Sequence, residues 1–217
     1  MSALKTFIKL ILGRGVYKSY AQFGEDLIIR PFLPKGNGFY VDVGCYHPIL
    51  YSNTYRLYRS GWRGIVVDPN PDLKRLFRIF RPRDTFIHAG IDSIRGERTY
   101  FQFADGAYNT FDPASAKRST SKTRPLASFP VTMRTLPDVL VGIDNIDLMN
   151  IDTEGLDLEV LKSHDWVMKP HLVIIEARPG SPAATLLEGK GYQLVGLTKL
   201  NSLYALEIPG SVDNSNV

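Results

Sequence analysis

The sequence contains a single cysteine, Cys45, so an internal disulfide is excluded and the usage suits a reducing compartment. No histidine–cysteine set stands at zinc spacing around it. No apolar run reaches the roughly 20 residues of a membrane-spanning helix. Lys9 interrupts the N-terminal apolar stretch and no small-residue cleavage site follows, so no secretory signal is expected. The glycine fingerprint of dinucleotide-binding turns is also missing, as is the asparagine-proline-proline-aromatic motif of methyltransferases that modify nucleic-acid bases. No strong charge imbalance is present: the net charge is +4 and the basic residues are dispersed, a solvated surface rather than a nucleic-acid footprint.

What remains is an ordinary globular composition. The chain has 217 residues, 44% hydrophobic and 22% charged, enough for one domain with a full core. Residues 1–20 form an amphipathic helix in this reading. Leu4, Phe7, Ile8, Ile11 and Leu12 alternate with Lys5, Lys9 and Arg14, which suits packing on the domain or peripheral contact with an anionic membrane surface. A single domain follows over 21–209, then a polar flexible tail over 210–217. The expected location is cytoplasmic, free or peripheral at the inner membrane face.

Five apolar stretches read as buried strands, each closing on an acid. Phe39-Tyr40-Val41-Asp42-Val43-Gly44 is the first, and Gly64 to Asp68 the second. Thr85 to Ser93 is the third and contains Asp92. Ile146 to Asp152 and His171 to Glu176 follow. Helices fall between them: one from about Glu25, one after Ser52-Asn53-Thr54, then Asp72 to Phe80, Leu156 to Ser163 and Pro182 to Glu188. Lys74, Arg75, Arg78, Arg81 and Arg83 read as the solvated side of the 72–80 helix and its exit. Arg98 to Phe103 and Phe129 to Met133 alternate like antiparallel strands. Between them, about 105–128 reads as a polar lid loop bearing Lys117, Arg118, Lys122 and Arg124. The closing pair, Tyr192–Leu197 and Leu203–Ile208, has no helix between its members and so should be antiparallel. The alternation predicts an α/β fold: a Rossmann-like, mostly parallel seven-stranded sheet with an antiparallel last strand and helices on both faces.

Parallel strands place Asp42, Asp68, Asp92, Asp152 and Glu176 along one carboxyl edge, where such sheets bind ligands. Gathered carboxylates need donors or cations. Gly44 is followed by Cys45, Tyr46, His47 and Pro48, bulky residues where a pyrophosphate turn needs glycine. That disfavours NAD. S-adenosylmethionine carries no phosphate and tolerates this turn. Asp68 then sits where an acid accepts both ribose hydroxyls, and Asp92-Ser93 where the adenine amino group is met.

The motifs Gln22-Phe23-Gly24-Glu25-Asp26, Tyr40-Val41-Asp42-Val43-Gly44, His47-Pro48, Ser52-Asn53-Thr54, Leu57-Tyr58, Gly61-Trp62-Arg63-Gly64, Asp68-Pro69-Asn70-Pro71 and Ile151-Asp152-Thr153-Glu154-Gly155 together resemble the FkbM family of S-adenosylmethionine-dependent methyltransferases. Where many members carry Ala-Asn after the glycine, this chain has Cys45-Tyr46. The resemblance implies the fold read above and O-methylation of a hydroxyl, often on a sugar or a polyketide-type product. By the match, Asp42 and Gly44 line the methionine end, Asp68 holds the ribose and Asp92 with Ser93 lies near adenine. Gln22, Glu25 and Asn53 complete the expected cofactor set.

Methyl transfer requires alignment of acceptor oxygen with methyl carbon, and a base for the hydroxyl proton. Asp152, Glu154 and His47 are the candidates. Asp152 and Glu176 also stand where some small-molecule O-methyltransferases hold Mg²⁺; Mg²⁺ or Mn²⁺ would lower the hydroxyl's pKa and orient it. The basic lid suits a diphosphate or another anionic acceptor, or is simply solvated surface. The competing functions are a nucleotide-cofactor oxidoreductase, which the missing glycines disfavour, and a non-catalytic binding module, which the retained acids disfavour.

Overall fold

The computed structural model describes residues 19–206. The expected amphipathic helix at 1–20 falls almost wholly outside the described residues, as do the tail and the end of the last expected strand. The described residues hold ten strands: β1 (Phe39–Val43), β2 (Arg63–Asp68), β3 (Thr85–His88), β4 (Gly90–Ile91), β5 (Gly96–Phe103), β6 (Pro125–Arg134), β7 (Leu148–Ile151), β8 (Leu172–Ile175), β9 (Gln193–Leu197) and β10 (Ser202–Ala205). The helices are α1 (Glu25–Ile28), α2 (Tyr55–Arg59), α3 (Leu73–Phe80), α4 (Pro113–Ser119), α5 (Leu136–Val139), α6 (Asp157–Ser163) and α7 (Pro182–Gly189). Among the described residues no helix is long and apolar enough to cross a membrane.

Seven strands form the main sheet in the order β3-β2-β1-β7-β8-β10-β9. Neighbours from β3 to β8 pair in parallel, and β10 runs antiparallel to both β8 and β9. The Thr198–Asn201 turn joins β9 to β10 without a helix, and so short a link can only connect antiparallel strands. Residues alternate between the two faces. Val41, Val43, Ile65, Val67, Met149, Ile151, Val173 and Ile175 pack against α5, α6 and α7. Tyr40, Val66, Leu148, Leu172 and Ile174 pack against α2 and α3. Both faces are therefore apolar, and each fully buried aliphatic side chain contributes about 1.5–3 kcal/mol.

Three expectations need correction. The third strand does not run unbroken from Thr85 to Ser93: β3 pairs with β2, whereas β4 leaves the sheet to pair with β6. The crossing falls at Gly90, which pairs with Met133 of β6. The 105–128 segment is not one long loop either. It holds a 3₁₀ turn at Gly106–Tyr108, helix α4, and the first residues of β6, which pairs antiparallel with β5. Asp112 caps α4 by accepting from the Ala114 and Ser115 amides, and Pro113 occupies its first turn. Finally, Arg81 is not on a solvated face. It is fully buried, ion-paired to Asp84 at 2.6 Å.

Candidate active site

A cavity of about 320 Å³ opens at the carboxyl ends of β1, β2 and β7. Register explains its polar floor. Asp42 lies opposite Val66 on one side and Asn150 on the other, so Asp42, Asp68 and Asn150 project from the same face of the sheet. Asn150 donates to Asp42 Oδ1 at 2.9 Å and accepts from Asn53 Nδ2 at 2.7 Å. Thr54 donates to the other Asp42 oxygen. All four side chains are buried. Thr54 in turn accepts from Arg81 Nη2 at 3.0 Å, and Arg81 also donates to the Tyr40 hydroxyl at 2.8 Å. A hydroxyl has one hydrogen. The Arg81 N–H on the Thr54 oxygen thus leaves that hydrogen to Asp42.

Asp68 closes β2 with both oxygens turned into the cavity rim. Oδ1 accepts from the Asn70 amide at 2.8 Å and Oδ2 from the Tyr46 amide at 3.0 Å. Each oxygen retains a second acceptor site, the pattern a ribose diol needs. Burial raises the Asp68 carboxyl to about 6, against the lowering by those two amides. Beyond it the wall becomes apolar. Leu73, Ile91, Tyr100 and Phe111 face the cavity, with the two rings 5.0 Å apart between centroids. A flat heteroaromatic group suits this wall.

The opposite wall is the turn after β7. Asp152, Glu154 and Glu176, the last from the end of β8, each place one carboxylate oxygen within 4.8 Å of the others. Burial raises the Asp152 carboxyl well above the usual range, and the carboxylates of Glu154, Asp157 and Glu176 add to it. Lost hydration in the crowded turn, then Glu176 and Asp157, push Glu154 up to about 7, an effect its remaining solvent exposure tempers. Glu154 has φ of 52°, and Tyr46 and Tyr51 on the cavity rim have φ of 51° and 57°. Among the described residues, three of the four non-glycine residues in this region of backbone space border one cavity, as strain at functional sites does.

Of the expected site residues, Gln22, Asp42, Gly44, Asn53, Asp68, Asp152 and Glu154 line the cavity, and Glu176 joins the acidic cluster beside it. Four lie elsewhere. Glu25 is buried under the β9–β10 turn, accepting from Thr198, Asn201 and the Phe23 amide, so it ties the N-terminal segment to the sheet edge. His47 accepts from the Ile49 and Leu50 amides through Nδ1, and burial lowers its pKa. It shapes the turn rather than facing the cavity. Asp92 follows β4 out of the main sheet and pairs with Arg98 at 2.5 Å, while Ser93 bonds Glu159. Gly90 and Ile91 take their place on the cavity wall. Asn150, Thr54, Tyr46, Tyr51, Tyr100 and Phe111 were not expected. The polar Asn150 inside the apolar strand Leu148–Ile151 is the one sequence signal among them.

A second cavity, of about 420 Å³, adjoins the first. Residues 107–122 of the β5–β6 insertion form most of it, with Ser115, Arg118, Ser119, Ser121 and Lys122 in its wall. The two cavities share Ala107, Asn109, Thr110 and Glu154, so Glu154 is the one ionisable side chain common to both.

The order of this sheet reverses at a crevice edged by acids and free of a pyrophosphate turn, the place where open, mostly parallel sheets bind their ligands. The family model described as the Methyltransferase FkbM domain matches residues 42–194. The chain belongs to the FkbM methyltransferase family. Among solved structures it is similar to a TehB-like S-adenosylmethionine-dependent methyltransferase from Corynebacterium glutamicum, with 12% identity, 93% of this chain and 95% of that one covered, and a TM-score of 0.45. It is also similar to precorrin-6y C5,15-methyltransferase from Geobacter metallireducens (13% identity, 88% and 91% covered, TM-score 0.46). A third is Aeropyrum pernix fibrillarin with natively bound S-adenosyl-L-methionine (11% identity, 83% and 70% covered, TM-score 0.44). No curated protein matches the chain.

Proposed function

We propose that the enzyme methylates a hydroxyl of a sugar or similarly polyhydroxylated acceptor. The observation that carries this reading is the position of Glu154 between the cofactor cavity and a second cavity walled by serine hydroxyls, Thr110 and Asn109. Asp68 would hold the ribose diol, the Tyr100–Phe111 wall the adenine, and the Asp42–Asn150–Asn53 floor the methionine end. The acceptor occupies the second cavity, its hydroxyl turned toward Glu154. The acceptor oxygen forms its new bond to the methyl carbon as the carbon–sulfur bond breaks, and the sulfur keeps that electron pair. The hydroxyl proton passes to Glu154, whose raised pKa matches proton transfer near neutrality.

A divalent cation is a second reading, favoured by the carboxylate oxygens of Asp152, Glu154 and Glu176 lying within 4.8 Å of one another. Their hard oxygen donors fit Mg²⁺ or Mn²⁺, which would lower the acceptor hydroxyl's pKa. Chelator treatment followed by assay with and without added Mg²⁺ tests it; full activity after chelation rejects it.

The main reading is tested by incubating the enzyme with methyl-labelled S-adenosylmethionine and a panel of nucleotide-sugars and free sugars, then locating the label by mass spectrometry. Label on a sugar oxygen, with Glu154→Gln slowing turnover about 10²–10⁴-fold while cofactor affinity holds, is the expected result. Label on nitrogen or carbon, or Glu154→Gln at full rate, overturns it.

A further inference from the structure

The second cavity is charged in a way that methyl transfer to a plain sugar does not require. Arg118 and Lys122 both line it, and they lie at the end of α4 and in the turn that follows. Neither charge is well neutralised. The nearest carboxylate to Arg118 is Asp112 at 3.8 Å, and the Asp112 oxygens are already engaged by the Ala114 and Ser115 amides. Arg118 Nη2 donates to Ser115 Oγ at 2.6 Å, which leaves further N–H groups of its fork open. Lys122 lies 5.6 Å from the centre of the Tyr108 ring and, among the described residues, has no carboxylate partner. Hydroxyls from Ser115, Ser119 and Ser121 line the same wall. Lys117 and Arg124, the other two bases of this segment, are not part of the cavity. The only acid in the lining is Glu154, shared with the cofactor cavity. The cavity is therefore polarised, with the two cations on the insertion and a proton acceptor toward the methyl donor.

We propose that Arg118 and Lys122 bind a phosphoryl group of the acceptor, so that the physiological substrate is a phosphorylated sugar held by its phosphate with a hydroxyl presented to Glu154. This rests on the reading that the second cavity is the acceptor site. A guanidinium fork with an ammonium beside it matches phosphate oxygens in charge and geometry. A soluble nucleoside-diphosphate sugar and a lipid-linked sugar phosphate share that chemistry.

Inorganic pyrophosphate, titrated calorimetrically into the enzyme with S-adenosylhomocysteine present, tests the site without catalysis. Pyrophosphate should bind the wild-type enzyme. Arg118→Ala/Lys122→Ala should weaken it at least about tenfold, the loss expected of a charge-assisted contact. Lys117→Ala/Arg124→Ala, which removes the same charge outside the cavity, should leave it nearly unchanged. Unaltered S-adenosylhomocysteine affinity in both variants reports intact folding. No pyrophosphate binding, or equal losses in the two double variants, overturns the proposal. The outcomes separate from those of the O-methylation reading. Cavity-dependent pyrophosphate binding with no sugar labelled keeps the anion site and rejects O-methylation. Efficient methylation of neutral sugars, with KM unmoved by Arg118→Ala/Lys122→Ala, keeps O-methylation and rejects the anion site. UDP-glucose in solution and phosphatidylcholine vesicles doped with a polyprenyl phosphate distinguish the two sources, and binding of either that depends on Arg118 and Lys122 supports the proposal.

Discussion

A side-chain carbon at position 44 would fall 1.7 Å from the carbonyl oxygen of Asp152. Gly44, at φ of 80°, thus brings the turn after β1 into backbone contact with the turn after β7. The glycine is required by the protein's own packing. Because the obstacle is backbone, no side-chain adjustment relieves it. Gly44→Ala should cost more than about 1–3 kcal/mol, the range for a strained backbone position, and should displace the turn bearing Asp152 and Glu154. The expected outcome is a lowered melting temperature together with loss of S-adenosylmethionine binding by calorimetry. Wild-type stability and affinity in the variant would contradict the packing argument.

Thr54 connects buried Arg81 to Asp42. Thr54→Val keeps the shape and removes the hydroxyl, leaving an Asp42 oxygen and an Arg81 N–H without this partner. Each buried group so exposed costs about 1–3 kcal/mol. The variant should unfold at lower urea concentration with an unchanged denaturant slope. Its affinity for S-adenosylmethionine should fall several-fold, because the Asp42 carboxylate is no longer oriented. Stability loss with cofactor affinity intact would make Thr54 a core residue only.

Asp68 accepts two backbone amides and keeps acceptor capacity toward the cavity. Asp68→Asn removes the charge and turns one acceptor into a donor, while the side-chain volume is unchanged. Charge-assisted bonds are worth about 1.5–3 kcal/mol, so the S-adenosylmethionine dissociation constant should rise about tenfold to a hundredfold. Equilibrium dialysis measures it. A change below about twofold would remove Asp68 from the ribose role.

The sheet and its acidic edge were legible because they follow from strand periodicity and from where acids fall at strand ends. Asp42, Asp68 and Asp152 obey that rule. Asp92 does not, because the chain crosses at Gly90 into a second sheet, where Gly90 pairs with Met133 more than forty residues away. Arg81 was misread for a related reason. Its position just past α3 suggests a solvated base, but the Asp84 and Tyr40 that satisfy its guanidinium meet it only in the folded chain. His47 and Glu25 carry the right chemistry for a site, yet each is consumed by backbone amides or by side chains of distant turns. The second cavity was hidden because the 3₁₀ turn and α4 that wall it fall within the 105–128 stretch that reads as loop. The polar composition that suggested a loop belongs to the Asp112 cap and the exposed faces of α4 and β6.

Asp157 offers a test of the acidic edge itself. It lies in the first turn of α6, buried, accepting from the Thr153 amide and hydroxyl at 3.0 Å each. Burial outweighs those bonds and, with Glu176 adding, raises its carboxyl to about 6 from an ordinary 3.8. The folded state therefore holds this proton more tightly than the unfolded state does. Between those two values stability falls as pH rises, and above about 6 the full penalty is present. At about 1.4 kcal/mol per pKa unit the penalty is on the order of 3 kcal/mol. Asp157→Asn retains an acceptor for Thr153 and has no charge to desolvate. In the chelator-treated, ligand-free enzyme it should be more stable than wild type near pH 8, and the gap should close as pH falls through about 6 toward 4. Comparing the two proteins at each pH cancels the opposing contribution of His47 and His164, whose pKa values burial lowers in both. Urea unfolding midpoints across that range give the measurement. A gap of constant size, or one that widens on acidification, would show that Asp157 is not held against ionisation by the fold.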